Sequence, residues 1–236
     1  MTSRAMPFVR RTRKRIFPVF WLDMGIRILL GLVFAFAAGA YFRNAFLHLQ
    51  HAGGARSPLM QAAEGFSILS VGLYTFMIAC LYALRLRAVN KFAGLVPAIT
   101  ALGGGFLVCG LLFLPPRTDL PLALSLTGTS LVFVGNIFAV RALGYLGRSF
   151  SILPEGRKLV TTGPYRRVRH PLYVAEAIST LGVTISFLSP PAVALVAAQL
   201  LLQLGRVHYE EKVLRATFPA YAKYSRRTAR LIPGLY

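Results

Sequence analysis

Two short stretches of this chain hold residues whose types and spacing can do chemistry. Residues 163–176 read GPYRRVRHPLYVAE and residues 206–211 read RVHYEE. Asp and Glu together number only 7 in 236 residues, and Glu176, Glu210 and Glu211 all fall within these stretches. A carboxylate close to a membrane surface is costly unless it is paired or used. Arg206 and Glu210 are one helical turn apart and share a face, whereas Glu211 is rotated from Glu210 by about 100°. One carboxylate can therefore face a helix bundle while the other faces away. The same spacing describes an ordinary intrahelical ion pair, contributing only about 0.3–0.5 kcal/mol. In the first stretch, Gly163-Pro164 breaks the element before it, and Pro171 stands where a first-turn proline belongs. The helix it opens presents free N–H groups to an anion, and Tyr165 and Tyr173 offer ring faces that attract a cation. A basic, tyrosine-bearing belt at a membrane interface has the same composition. On the residues alone both readings stand.

The elements that must position these residues are apolar helices. The chain is 56% hydrophobic and 14% charged, with mean hydropathy +0.59, which excludes an ordinary soluble domain. Six segments approach the ~20 apolar residues that a span requires. They cover residues 22–42, 66–84, 93–114, 122–140, 172–188 and a shorter one at 192–205. The tripeptide SPP at 189–191 cannot continue a helix and predicts a tight hairpin between the last two. The expected fold is all-α: a polytopic membrane helix bundle of about six segments with a cytoplasmic C-terminal helical tail. No internal repeat or low-complexity tract interrupts it. No cleavable signal peptide is expected, because the apolar run after the basic N-terminus is too long and lacks a small-residue cleavage site.

The formal net charge is +20, and its distribution explains it. Cation-rich and cation-poor connections alternate along the chain, which predicts an even number of crossings with both termini and the chemistry-bearing stretches in the cytoplasm. The cations then act as topological anchors, some touching anionic lipid headgroups, and no nucleic-acid partner is called for. Cys80 and Cys109 fall inside apolar runs and read as buried thiols. His48 and His51 read as solvated loop residues, since a metal site would need further ligands. Asp23 and Arg27 are spaced to pair on one helical face.

The segments KLVTTGPYRRVRHPLY (158–173) and RVHYEEKVLRATFPAYAKYSRRTARLIPGL (206–235) flank the hairpin. Together they resemble the isoprenylcysteine carboxyl methyltransferase superfamily, which also includes the integral-membrane phospholipid N-methyltransferases. The resemblance covers about the last 90 residues. It implies an S-adenosylmethionine-dependent enzyme built from membrane helices, and the absence of a strand–GxGxxG–helix pattern agrees with that. The spread of apolar runs argues for one membrane domain over 1–236, with N-terminal helices in 1–120, and the resemblance implies a methyltransferase core with its cofactor pocket in 121–236. Lys158, Leu159, Val160, Tyr165, His170, Pro171, Leu172, Tyr173 and Glu210 would hold the cofactor. Arg206 would face a lipidic or prenylated acceptor, and an arginine suits a carboxylate or phosphate bidentately. If the acceptor is an amine, Glu211 or His170 would take its proton; a carboxylate acceptor needs no base. Glu176 has no firm role in the family and is a candidate to touch the acceptor or to orient Arg206 or His170. Pro219 replaces a glycine that the family usually carries. Two other readings stay open: an NADPH-dependent reductase of the sterol-reductase kind, suggested by the RLIP ending, and a non-catalytic protein that binds anionic lipid.

Overall fold

The computed structural model describes residues 16–50, 57–91 and 94–234. The cations of residues 4–15, His51 and the side chain of Asp23 lie outside the described residues. Helix α1 spans Ile16–Gln50 and α2 spans Pro58–Leu84. Helix α3, Leu95–Phe106, runs on as a 3-10 turn over Leu107–Phe113. Helices α4 (Leu122–Leu146), α5 (Pro171–Ser186), α6 (Pro190–Thr217) and the short α7 (Tyr221–Ser225) follow. The described strands are β1 (Asn90–Lys91) and β2 (Glu155–Gly156), paired antiparallel.

Among the described residues, five helices are long and apolar enough to cross a membrane: α1, α2, α3 with its 3-10 turn, α4 and α6. The expected fifth segment is α5, whose 16 residues rise roughly 24 Å and fall short of a ~30 Å hydrocarbon core. The expected short sixth segment is instead part of the 28-residue α6. Charges after Gly205 end the apolar run, but no breaker interrupts the helical period before Pro219. The SPP turn folds as anticipated. Ser189 caps α6 by accepting a hydrogen bond from Ala192 N at 3.4 Å, and Pro190 takes the first helical position.

The bundle is built from the pairs α1–α2, α4–α5, α2–α4 and α3–α6. α4 and α5 approach closely enough to require glycine. A Cβ on Gly135 would lie 2.5 Å from Ser179 N, and one on Gly182 would lie 2.5 Å from Gly128 O. Between them Asn136 donates to Ser70 Oγ and accepts from Ser179 Oγ, each at 3.3 Å, which ties α2, α4 and α5 together. Tyr82, Leu143, Phe150 and Leu172 fill the core beside this seam. Large apolar side chains such as Phe36 (83% exposed) and Phe113 (89%) cover the outside, as a lipid-facing surface requires. Cys109 also lies on the outside and Cys80 is half-buried; both are free thiols. Hydropathy does not distinguish a lipid-facing position from a buried one, so the expectation of two buried thiols fails at Cys109.

Backbone contacts fix the connection from α4 to α5. Leu86 N donates to Arg148 O and Val89 N to Gly156 O, both at 2.7 Å, so the exit of α2 holds this link in place. The tail closes it from the other side: Arg169 N donates to Ala229 O at 2.8 Å and His170 N to Arg230 O at 3.2 Å.

Candidate active site

The link 147–170, the first turn of α5, the last turns of α6 and the tail enclose a cavity with about 720 Å³ of empty space, part of it open to solvent. Of the nine residues expected to hold a cofactor, eight line it: Lys158, Leu159, Val160, Tyr165, His170, Leu172, Tyr173 and Glu210. Pro171 lies on a different surface, in a groove on the outer side of the link. Residues that the sequence reading did not single out complete the wall, notably Phe150 and Glu155 from the link, Leu214 from α6, and Tyr221 and Tyr224 at the tail. Tyr221 and Tyr224 belong to the second motif, in AYAKY, which is the signal that could have found them.

Within the cavity, His170 stacks on Tyr173 with ring centroids 5.5 Å apart at 17°. Its Nδ1 faces Glu210 Oε2 at 3.6 Å and its Nε2 faces Glu211 Oε1 at 3.3 Å. Burial alone would lower the pKa of this imidazole, but the two carboxylates outweigh burial and raise it. The Tyr165 hydroxyl is buried and makes no hydrogen bond. Burial, followed by the charge of Glu210, raises its pKa well above the phenol range, so it stays a protonated donor. The Tyr224 hydroxyl donates to Tyr165 O at 2.5 Å and locks the tail onto this wall.

Glu210 and Glu211 do face different ways. Glu210 reaches the cavity. Glu211 does not line it; its carboxylate meets Arg169 Nε at 3.0 Å, Arg230 Nε at 3.4 Å and Arg215 Nη2 at 3.7 Å, besides His170. It therefore clamps link, helix and tail together. Arg206 makes no ion pair with Glu210 among the described residues. Its guanidinium sits 4.8 Å from the centroid of the Tyr173 ring, the residue is 2% exposed, and Nε has no hydrogen-bond partner. Neither Arg206 nor Glu176 lines the cavity. Glu176 accepts from Tyr74 Oη at 2.6 Å and from Gln203 Nε2 at 2.9 Å, which joins α2, α5 and α6 in a second, half-buried polar cluster. Among the described residues, no group of three or more His, Cys, Asp or Glu side chains could hold a metal ion.

Comparison with known proteins bears on this arrangement directly. Residues 122–220 match the phospholipid methyltransferase family. The segment is similar to the membrane methyltransferases that the two motifs resemble. Three curated relatives are similar. The cobalt-zinc-cadmium resistance protein CzcN of Cupriavidus metallidurans is 35% identical over 55% of this chain and 60% of its own length. The nickel-cobalt-cadmium resistance protein NccN of Alcaligenes xylosoxydans xylosoxydans is 32% identical over 48% of this chain and 50% of its own. The protein-S-isoprenylcysteine O-methyltransferase B of Arabidopsis thaliana is 31% identical over 45% and 57%. The chain thus spans between half and three fifths of the length of each.

Proposed function

We propose that this chain is an integral-membrane, S-adenosylmethionine-dependent methyltransferase acting on a lipidic or amphipathic acceptor. One observation carries the reading: eight residues inferred from two separate motifs line a single cavity that holds a carboxylate, a buried donor hydroxyl and aromatic faces. These groups fit the cofactor. Glu210 and the ring of Tyr165 match a cationic sulfonium, and Tyr165 Oη and Lys158 are donors for its polar ends; the Tyr173 ring is stacked between His170 and Arg206. When bound, the cofactor supplies a methyl group already activated on sulfur. The protein then has to position and electrostatically match the reactants.

His170 holds Glu210 in place, and Glu211 holds His170. Arg206 is the acceptor residue on this reading. It lies one turn deeper along α6 than Glu210, and its unbonded Nε suits a carboxylate or phosphate arriving from the membrane side. A carboxylate acceptor needs no proton removed. For an amine acceptor, His170 is nearer the cavity than Glu211 and is the candidate base. With α1 to α4 crossing the membrane and α5–α6 entering and leaving it from one side as a hairpin, the cation distribution supports an orientation with the site and both termini in the cytoplasm. The core then comprises 121–236, with 1–120 supplying further membrane helices. The Arabidopsis relative is named for a prenylated acceptor, and the bacterial relatives are named for metal resistance. An amphipathic acceptor is the class that the buried Arg206, set among apolar membrane helices, suits on chemical grounds.

Calorimetric titration of the detergent-purified protein with S-adenosylhomocysteine tests the reading. Saturable binding that Glu210→Ala abolishes, in a variant that still melts cooperatively, is expected. Wild-type affinity in that variant would sink the assignment, and a rise in melting temperature with NADPH instead would favour the reductase. Arg206→Ala should keep S-adenosylhomocysteine binding and lose turnover.

A further inference from the structure

The groove that takes Pro171 lies on the outer side of the link, behind the wall of the candidate active site. It offers about 1780 Å³ of empty space, open to the surroundings. Its floor is apolar, made by Phe138 of α4 and Val174 and Ile178 of α5, with Ile232 of the tail. Arg141, Arg166 and Arg167 also line it, all exposed, and no Asp or Glu does. None of the three arginines has an ion pair or side-chain hydrogen bond among the described residues. Three like charges converging on one groove repel one another, and an arginine near a bilayer surface is favoured by an anion. The apolar floor belongs to helices of the membrane bundle, and Phe138 is 52% exposed there.

We propose that this groove binds an anionic phospholipid. Its phosphate meets Arg141, Arg166 and Arg167, and one acyl chain lies along Phe138, Val174 and Ile178. A free phosphate would satisfy the arginines and leave the apolar floor bare, and a zwitterionic lipid would bring its own cation towards three others. The location gives the lipid a consequence. The strand of chain at 161–168 forms the groove with one side, while its neighbours Lys158–Val160 and Tyr165 line the cavity with the other. Pro171 stands between His170 and Leu172 in the same way. A lipid in the groove braces the back of the cavity wall. Lipid binding here does not depend on methyl transfer and holds for any use of the cavity.

The test is thermal unfolding of the full chain in neutral detergent. It is titrated with short-chain phosphatidylglycerol, with phosphatidylcholine of the same chains, and with inorganic phosphate. Phosphatidylglycerol should raise the melting temperature saturably, while the other two should not at equal concentration. At about fivefold per arginine, R141Q/R166Q/R167Q should weaken the midpoint about 100-fold. An equal response to phosphatidylcholine overturns the proposal, as does an undiminished response in the triple variant. A matching response to inorganic phosphate overturns the lipid as occupant. If the triple variant does not fold, the wild type still decides. Affinity for phosphatidylglycerol must rise as its acyl chains lengthen, and a flat series rules the apolar floor out.

Discussion

Glu211 separates two accounts of the acidic pair, and replacing it with glutamine distinguishes them. As a proton acceptor, Glu211 would act on the substrate and matter little to the fold. As a clamp, it balances Arg169, Arg230 and His170 at 3.0–3.4 Å and joins three parts of the chain. Removing one partner of a buried ion pair costs about 3–5 kcal/mol because the remaining charges stay uncompensated. The cluster is only partly sealed: Arg169 and Arg230 side chains are 13% and 18% exposed and Arg215 is 61%. Discounting for solvent leaves about 2–4 kcal/mol for Glu211→Gln. For a chain of this size that corresponds to a melting temperature lowered by roughly 5–15 °C. The tail should also loosen, because Arg169 Nη1 donates to Ser225 O at 2.6 Å and depends on the same cluster. Limited proteolysis within residues 221–234 should therefore accelerate in the variant. An unchanged melting temperature and an equally protected tail, together with lost turnover, would refute the clamp and restore Glu211 as a base.

Gly182→Leu should prevent α4 and α5 from closing, since even a Cβ would fall 2.5 Å from Gly128 O; a monodisperse, cooperatively melting variant would contradict the packing. Tyr165→Phe removes a buried hydroxyl that has no protein partner, so the melting temperature should hold or rise while S-adenosylhomocysteine affinity falls about fivefold; equal affinity would remove that hydroxyl from the proposed ligand contacts. The raised pKa of His170 means that folding favours its protonated form. That stabilisation is complete below the ordinary value of about 6.5 and is lost as pH climbs through the folded value. Melting temperatures measured upward from pH 5 should therefore fall more steeply in the wild type than in His170→Gln, and parallel curves would refute the coupling.

The sequence makes the local devices legible. Ser189 and Pro190 cap and open α6 through neighbours in the chain, and Pro171 opens α5 in its first turn, so the hairpin needs no tertiary information. The cavity wall is readable because its residues sit in two compact motifs. What is not readable depends on helix rotation and on contacts between distant segments. Spacing says that Glu210 and Glu211 diverge, but only packing against the link decides which one meets the cavity. Glu155 pairs with the buried guanidinium of Arg157 and reaches the cavity from a stretch with no recognisable pattern. Tyr74 finds Glu176 across 102 positions, and nothing in α2 marks that residue among other aromatics. The length of α6 is hidden in the sequence because hydropathy follows the environment along the helix, while the helix itself continues beyond it.

That continuity has a chemical meaning. α6 carries Gln203, Arg206 and Glu210 in successive turns, so a single rigid element spaces the polar groups by its own rise of 1.5 Å per residue. Tyr173 separates two environments along it. On one side Glu210 and His170 face the cavity; on the other the buried Arg206 and Gln203 and the half-buried Glu176 and Tyr74 lie among membrane helices. On the proposed reading, a water-soluble methyl donor and a membrane-borne acceptor approach the same helix from opposite sides of that ring. Placing the two sites on separate elements would let hinge motion change their separation; placing them on one helix fixes it. The tail and the Glu211 clamp then serve a common purpose. They hold the link against the end of α6, so that the wall carrying Tyr165 and His170 keeps its distance from Glu210.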